Sequence, residues 1–361
     1  ATLIAEETLL ADERETFQPV PSPDGKHLAF VRDRDEICVM DLIDQSIRTL
    51  VPADLNYSYA DGDLSFSWAP DSRWLAVGYL ANRSWIEQIG IVDAASGEIR
   101  DVTLSGYYEW NPQWAPDGRA LTFASNRHGQ RSHGSWGSEQ DVLALYLTQE
   151  AYDRAILPEA EFDRLRAREE KAKKKATRRG GDEADGDDEA EDEKEEHVPE
   201  VRVDFENMER RLRRLSMHSA PMSDFVMAKD GEACLYGAEM DGKWDVWMVK
   251  PRAGETRRVV RLGDDRGPDL ELSKDGKTLF IRRHGGRIVQ ADVGGILEAE
   301  GKRGRRGRND DGEDGGGRGG GGGREAHAEP VSFRAELEVD VDAERNHLFE
   351  HIWRQARDKF Y

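Results

Sequence analysis

The stretch that decides the fold is Trp114-Ala115-Pro116-Asp117-Gly118, which is followed by an apolar run over residues 120–124. Proline presets φ at the first corner of a turn, aspartate bonds its own backbone, and glycine accepts a positive φ. The stretch therefore predicts a tight turn that joins two antiparallel strands.

The same turn recurs five times along the chain, each time before an apolar alternating stretch. Its copies are residues 21–25, 68–72, 114–118, 227–231 and 272–276, with their aspartates at 24, 71, 117, 230 and 275. Three of the four gaps between these aspartates are 45, 46 and 47 residues, and the fourth is 113. A strand, a polar break and a second strand follow each other at residues 26–32 and 36–42, 74–80 and 88–92, and 233–238 and 244–249.

A period of about 45 residues with four short strands per unit is typical of a β-propeller blade. Helical solenoids of similar period are disfavoured because Val, Ile, Phe, Trp and Tyr dominate the apolar runs. The sequence predicts an all-β chain, a β-propeller with about five visible blades, interrupted by a disordered charged insertion and followed by a C-terminal helix.

The long gap is compositionally foreign to the repeats. Residues 150–175 have a helical and increasingly basic pattern, with nine basic side chains in 164–179, whereas 182–196 contain eleven acidic ones. Blocks of like charge repel each other and stay solvated, so we expect residues 167–200 to be disordered. Residues 201–215 begin with a strand-like run, 201–205, which we expect to complete the interrupted third blade.

These patterns predict five consecutive segments. The blades occupy residues 1–149 and 201–296, the charged helical or disordered insertion 150–200, a Gly/Arg-rich linker 297–330, and the start of a helical segment 331–361. Within the last, residues 331–341 are strand-like and 343–361 form an amphipathic helix with Leu348, Phe349, Ile352, Trp353 and Phe360 on its apolar face.

Composition limits the classes of function. The 361 residues carry a formal net charge of −21, which argues against a phosphate-binding body. The sequence contains no run of about 18 apolar residues, so it predicts no membrane-spanning helix. Cys38 and Cys234 lie in separate strand-like runs, which favours two buried thiols over a disulfide or a zinc site.

Two local motifs offer catalytic alternatives. His347-Leu348-Phe349-Glu350-His351 has the spacing of inverted zinc peptidases, but it lacks a third ligand outside its own helix, and chance occurrence is the favoured interpretation. Residues 134–138, Gly-Ser-Trp-Gly-Ser, lack the glycine two positions before a serine that a nucleophile elbow requires, so a loop at a blade edge is favoured.

Two charged segments offer weaker indications of a ligand, nucleic acid in one case and calcium in the other. The Arg/Gly-rich residues 303–324 lack interleaved aromatic side chains, which favours a spacer over a nucleic-acid segment. The acidic residues 182–196 lack the order of an EF-hand loop. We predict no nucleic-acid partner, no metal and no other cofactor.

Beyond the turns, three stretches resemble the tricorn-type peptidases, serine peptidases of the S41 group. They are residues 12–19, residues 135–138 with 151–154, and residues 349–355 with 359–361. The resemblance implies a propeller region followed by the start of the catalytic part, in a chain truncated at both ends. In this family the catalytic histidine, a PDZ domain and the serine-bearing core follow such a helix, so the resemblance implies that no catalytic residue lies within this chain.

What the resemblance implies for function is a propeller that gates or binds peptides or unfolded polypeptides in a proteolytic system. Propellers of this family have six or seven blades, against five turns here. The alternatives that the sequence leaves open are a TolB-like protein-binding propeller and a zinc peptidase built on His347 and His351. Self-association stays open, and the compartment is predicted as cytoplasmic, with the periplasm as the alternative.

Overall fold

A computed structural model describes most of the chain. The described residues are 8–56, 58, 62–81, 86–103, 105–131, 137–180, 198–298, 325–334 and 340–359.

Five antiparallel sheets follow one another along the chain, and each consists of four consecutive strands in chain order. Blade 1 comprises β1 (Thr16–Pro21), β2 (His27–Arg32), β3 (Glu36–Asp41) and β4 (Ile47–Val51). Blade 2 comprises β5 (Phe66–Trp68), β6 (Trp74–Tyr79), β7 (Gln88–Asp93) and β8 (Ile99–Asp101). Blade 3 comprises β9 (Glu109–Trp114), β10 (Ala120–Ser125), β11 (Asp141–Tyr146) and β12 (Leu212–Arg214). Blade 4 comprises β13 (Met222–Met227), β14 (Cys234–Met240), β15 (Lys243–Lys250) and β16 (Glu255–Asp264). Blade 5 comprises β17 (Asp269–Leu272), β18 (Thr278–Arg282), β19 (Ile288–Asp292) and β20 (Glu329–Pro330). The predicted five-bladed propeller architecture is confirmed.

The repeated aspartate makes the same bond in every blade. In blade 3, Oδ1 of Asp117 accepts a hydrogen bond from the backbone N–H of Arg119 at 3.1 Å, and Gly118 adopts a φ of +69°. The four other aspartates accept the equivalent bond at 3.0–3.1 Å. Because an L side chain is strained at positive φ, glycine occupies the corner in four blades, and Ser72 takes that position in blade 2 at +60°.

Neighbouring blades share their cores. One buried cluster joins blades 1 and 2, and further clusters join blades 2 and 3, 3 and 4, and 4 and 5. In the second cluster, Ile89 and Ile91 of blade 2 pack with Leu121 and Phe123 of blade 3, all fully buried. Each strand therefore presents alternate residues to two different neighbours, as stacked sheets require.

The first strands of blades 2 and 3, and those of blades 4 and 5, contact each other, and we therefore describe the first strands as the inner strands of the propeller. Their side chains bond from blade to blade. Nε1 of Trp68 donates to the carbonyl oxygen of Val20 at 3.0 Å, and Nε1 of Trp114 donates to that of Ser67 at 3.0 Å. Ser67 donates in turn to the carbonyl of Pro112 at 2.7 Å.

The insertion after β11 differs from the prediction. It forms α1 (Gln149–Ala155) and α2 (Glu159–Gly180), so residues 167–180 are helical rather than disordered. This part of the insertion is rich in Ala, Glu, Lys and Arg, which favour helix even without burial. The acidic residues 182–196 lie outside the described residues.

The end of the insertion also differs in detail. Residues 201–205 form no strand, and β12, seven residues later, pairs with β11 and completes blade 3. Instead, the N–H of Val201 donates to Oδ2 of Asp71 at 3.0 Å, and that of Asp204 donates to the carbonyl of Leu147 at 2.9 Å. Val201 is buried against blades 2 and 3, which explains its strand-like apolar character.

The predicted linker 297–330 ends inside blade 5. Its last residues supply β20, which pairs with β19, and Ala326 donates its N–H to the carbonyl of Val259 at 2.7 Å. The helix α3 (Val293–Glu298) follows β19, and its last two residues fall within the predicted linker. The helix α4 (Val341–Lys359) confirms the predicted terminal helix. Residues 301–324 lie outside the described part of the chain.

Candidate functional site at the loop end of blades 2 and 3

The two ends of the propeller differ in their connections. One end, which we name the turn end, carries the five aspartate turns. The opposite end, the loop end, carries the connections between second and third strands and those that lead to the next blade. At the loop end, blades 2 and 3 have long second-to-third connections, residues 80–87 and 126–140, whereas that of blade 4 has two residues, 241–242. The connection loops of a rigid scaffold are the usual place for binding groups.

Glu87 stands where blade 2 meets blade 3 at this end. Its Oε1 accepts a hydrogen bond from the hydroxyl of Ser65 at 2.7 Å, and its backbone carbonyl accepts the N–H of Glu109 at 3.1 Å. Burial raises the pKa of the Glu87 carboxyl to about 7, against the opposing effect of hydrogen bonds from Ser65 and Tyr108. This carboxyl therefore changes its charge near neutral pH.

Glu109, the first residue of β9, carries the second carboxyl of the site and is fully buried. Arg127 approaches its Oε1 with Nη2 at 3.2 Å, and the hydroxyl of Ser125 donates to the same oxygen at 3.3 Å. Burial raises the pKa of Glu109, and the Arg127 charge opposes that shift. The pair is a buried anion with one partly exposed cation.

Tyrosine rings lie beside these carboxyls. Two guanidinium groups lie over the Tyr107 ring, with Cζ of Arg127 at 5.3 Å and Cζ of Arg131 at 5.0 Å from the ring centroid. Tyr108 is 39% exposed, and its N–H donates to Oδ1 of Asn126 at 3.1 Å. The site thus offers aromatic faces, cations and a titrating carboxyl within one surface, a combination suited to the mixed polarity of a peptide.

A hairpin that extends from blade 3 borders the site. Arg131 and Ser138 form a β-bridge across it, and the N–H of Gln130 donates to Glu139 Oε2 at 3.1 Å. Nε1 of Trp110, on the inner strand β9, donates to Oε1 of Gln140 at the hairpin base at 2.5 Å. Residues 132–136, with most of the predicted Gly-Ser-Trp-Gly-Ser motif, lie outside the described residues.

Polar inner-strand groups continue from this site toward blades 4 and 5. Nδ2 of Asn111 donates to Asp224 Oδ1 at 2.8 Å, and Asp224 Oδ2 accepts the N–H of Leu270 in blade 5 at 2.8 Å. Burial raises the pKa of Asp224 to about 6, against these hydrogen bonds. Two inner-strand carboxyls, those of Glu109 and Asp224, therefore have pKa values above their ordinary range because they are buried.

The two serine hydroxyls next to the site carboxyls have acidic partners. Ser65 and Ser125 each donate to a carboxylate, and within the described ranges no serine hydroxyl is hydrogen-bonded to a histidine ring. A nucleophilic serine needs such a base.

The alternative zinc motif is placed on α4. The His347 and His351 rings are 6.2 Å apart between centroids, and Nδ1 of His351 lies 3.1 Å from Nη2 of Arg34. A guanidinium at that distance is a poor neighbour for a metal cation. Among the described residues no group of three His, Cys, Asp or Glu side chains could hold a metal ion.

Cys38 and Cys234 are buried and unpaired, as predicted. None of the described helices has the length and the apolar character needed to cross a membrane.

Comparisons with known proteins agree with the resemblance predicted from the sequence, although no protein-family model matches the chain. A protein of Sulfurisphaera tokodaii named as a tricorn-like protease C-terminal subunit is 30% identical over 107 residues, which are 30% of this chain and 12% of that protein. A tricorn protease homolog of Saccharolobus solfataricus is 28% identical over 107 residues, 30% of this chain and 9% of that protein. The chain thus spans a small part of these curated relatives.

Solved structures give the same picture at the level of the fold. The crystal structure of the tricorn protease superposes with a TM-score of 0.53 and 14% identity, over 78% of this chain and 26% of that one. TolB from Acinetobacter baumannii reaches a TM-score of 0.48 with 15% identity, over 80% of this chain and 55% of that one. The chain is a propeller that resembles part of a tricorn-type peptidase.

Proposed function

We propose that this chain is the peptide-binding propeller of a tricorn-like serine peptidase and that it holds peptides or unfolded polypeptides at the loop end of blades 2 and 3. Hydrolysis would use residues outside this chain. The observation that carries the proposal is a group of side chains at the loop end of a tricorn-like fold: Glu87, Glu109, Tyr108, and Tyr107 with Arg127 and Arg131 over its ring. Cytoplasmic location and self-association stay predictions.

A peptide suits this surface on chemical grounds. An extended peptide has backbone donors and acceptors in alternation, and the site offers the half-buried Glu87 carboxyl as an acceptor and Arg127 and Arg131 as donors. The partly exposed Tyr108 adds a rigid aromatic face that binds side chains at low entropic cost.

The test is a titration of a fluorescein-labelled, unstructured 20-residue peptide, followed by fluorescence anisotropy. We expect saturable binding that Tyr108→Ala weakens about tenfold, the effect of losing a typical aromatic contact. Ile43→Ala is the matched control, because Ile43 is 83% exposed and lies at the turn end. Absence of binding, or equal loss in both variants, would refute the site.

The absence of catalysis is tested in the same samples. After a long incubation, mass spectrometry should find the labelled peptide intact. Cleavage products that persist in the Ser65→Ala and Ser138→Ala variants would point to a contaminating peptidase. Cleavage abolished by either variant would show a nucleophile in this chain and overturn the non-catalytic part of the proposal.

A further inference from the structure

A pocket at the turn end lies between blades 3 and 4, far along the blades from the proposed peptide site. Its volume is about 180 Å³. The aspartate turns of the two blades form its sides, and α1 with the first turns of α2 covers it. Cavities between packed units with convergent polar groups are the usual place for small ligands.

Five arginines line this pocket in a chain whose net charge is −21. They are Arg119, Arg154, Arg166, Arg213 and Arg252, against three acidic side chains, Asp117, Asp230 and Glu232. The surplus is local, so an anion is attracted here although the molecule as a whole repels it.

Two of the arginines are neutralised by partners and serve to build the walls. Arg252 pairs with both oxygens of Glu232 at 2.8 and 3.4 Å, and Arg154 pairs with both oxygens of Glu169 at 2.6 and 3.0 Å. Both guanidinium groups stack on the buried Phe162 ring, at 3.7 Å for Arg252 and 5.0 Å for Arg154. This stack fixes the pocket cover to blade 4.

The other arginines keep unused donors. Arg213 spends one N–H on the carbonyl of Ala155 at 2.8 Å, a neutral partner. Cζ of Arg166 lies 5.9 Å from the centroid of the Phe162 ring. Nη1 of Arg119 comes no closer than 3.9 Å to Oδ2 of Asp117. Since a guanidinium has five N–H donors in a planar fork, these groups can bind a carboxylate through two parallel bonds.

The acidic side chains of the pocket compete only weakly for these donors. Asp117 and Asp230 each use Oδ1 to hold the backbone of their own turn, and Glu232 is held by Arg252. The remaining lining includes alanines, Leu215 and Met227, which suit a short apolar stem. A carboxylate on a two- to three-carbon stem matches this mixture of donors and apolar wall.

We propose that the pocket between blades 3 and 4 is a binding site for a carboxylate on a short aliphatic stem, either a free dicarboxylic acid or a glutamate side chain of a peptide. Arg213 and Arg166 would hold the carboxylate. This site is separate from the loop end, so its failure leaves the proposed peptide binding at Tyr108 untouched.

The experiment is isothermal titration of the whole chain at low ionic strength with glutarate and, in a second arm, with tetraglutamate peptide. We expect at least one to bind, with an affinity that falls as salt is raised. Glutarate alone would identify a free acid as the ligand, and tetraglutamate a peptide side chain. Glutaramide and tetraglutamine, which have the same shape without charge, should not bind.

Variants locate the binding. Arg213→Gln and Arg166→Gln should each weaken it at least tenfold, whereas Arg202→Gln should not, because Arg202 is exposed, pairs with Glu200 and does not line the pocket. Arg166 is exposed on α2, so its variant folds even if Arg213→Gln does not. No binding by either carboxylate, equal binding of the amides, or an unchanged affinity in Arg166→Gln would overturn the proposal.

Discussion

Trp68 and Trp114 show why tryptophan begins the repeated turn in blades 2 and 3. Each indole N–H donates to a carbonyl on the inner strand of the preceding blade, so the side chain links two blades as well as filling the core. Blades 4 and 5 have Met227 and Leu272 at this position, which can fill space but cannot donate.

We expect Trp114→Phe to lower the free energy of unfolding by about 1 kcal/mol more than Trp74→Phe. The two tryptophans are equally buried, at 9% exposure, but Nε1 of Trp74 has no hydrogen-bond acceptor in the described structure. Urea unfolding followed by circular dichroism measures both variants. Equal losses would mean that the indole bond between blades adds nothing to stability.

Glu87 predicts a pH dependence of stability. Because its pKa is raised to about 7 in the folded chain, from an ordinary value near 4.5, the folded state holds a proton that the unfolded state releases between these values. The contribution of Glu87 to the free energy of unfolding is fully present below about pH 4.5. This contribution, roughly 1–3 kcal/mol, is lost as the pH rises to about 7.

Glu87→Gln should therefore unfold at higher urea than the parent at pH 8 and at similar urea near pH 4.5. The amide keeps an oxygen for the Ser65 hydroxyl and carries no charge. Urea titrations across this range give the answer, and a pH profile unchanged by the substitution would contradict the assignment. Asp224 and Glu109 contribute in the same direction and remain in the variant.

Among the elements, the insertion after β11 has one part that packs on the propeller and a distal part that we expect to add little to stability. Phe162 is buried under Arg252, and Glu169 holds Arg154, so α1 and the start of α2 belong to the propeller. Past Glu169, the side chains of Glu170, Lys171 and Ala172 are exposed.

Replacement of residues 171–197 by a 12-residue Gly-Ser linker, which spans roughly 40 Å when extended, should leave the melting temperature within about 2 °C, because loop length changes closure entropy only slowly. Calorimetry measures this. Removal of residues 149–197 as a matched deletion should lower the melting temperature clearly, since it removes Phe162. Equal losses would show that the distal part of α2 stabilises the fold.

The sequence predicts the hairpins correctly wherever the repeated aspartate turn marks them. Asp24, Asp71, Asp117, Asp230 and Asp275 locate the five hairpins because the turn chemistry is local. The two-residue strand Glu329–Pro330 was assigned to a linker, since it has no periodicity and its pairing with β19 is set by the fold alone. The prediction of a strand at Val201 is wrong because an apolar residue that is buried in a loop cannot be told from a strand residue by its apolar character alone.

The candidate site could not be predicted in the same way. An isolated glutamate such as Glu87 or Glu109 is usually a solvated surface residue. Glu109 becomes fully buried and Glu87 half-buried only when blades 2 and 3 come together. Glu109 carries a faint signal, because it directly precedes the inner-strand Trp110. The hairpin that borders the site contains residues 134–138, for which the sequence favours a loop at a blade edge.

At the scale of the whole molecule, the four shared cores make the blades one cooperative stack. Phe123 lies fully buried in the cluster between blades 2 and 3. We expect Phe123→Ala to lower the free energy of unfolding by about 3–5 kcal/mol through the cavity it leaves.

The measurement is calorimetry combined with hydrogen exchange, and Phe333→Ala serves as control because Phe333 is 69% exposed. One transition at lower temperature, with exchange increased in blades 1 to 5 alike, is the expected result. A second transition confined to blades 2 and 3 would show that the stack comes apart blade by blade.

The order of the strands has a consequence for synthesis on the ribosome. Every blade uses four consecutive strands, so each can close as soon as its own segment has emerged, without waiting for the chain end. Blades 3 and 5 are exceptions, since 36 residues separate β19 from β20, and 65 residues, the longest interval, separate β11 from β12. During that interval the nascent chain exposes the open edge of β11, and this is the moment when a chaperone would be most useful to it.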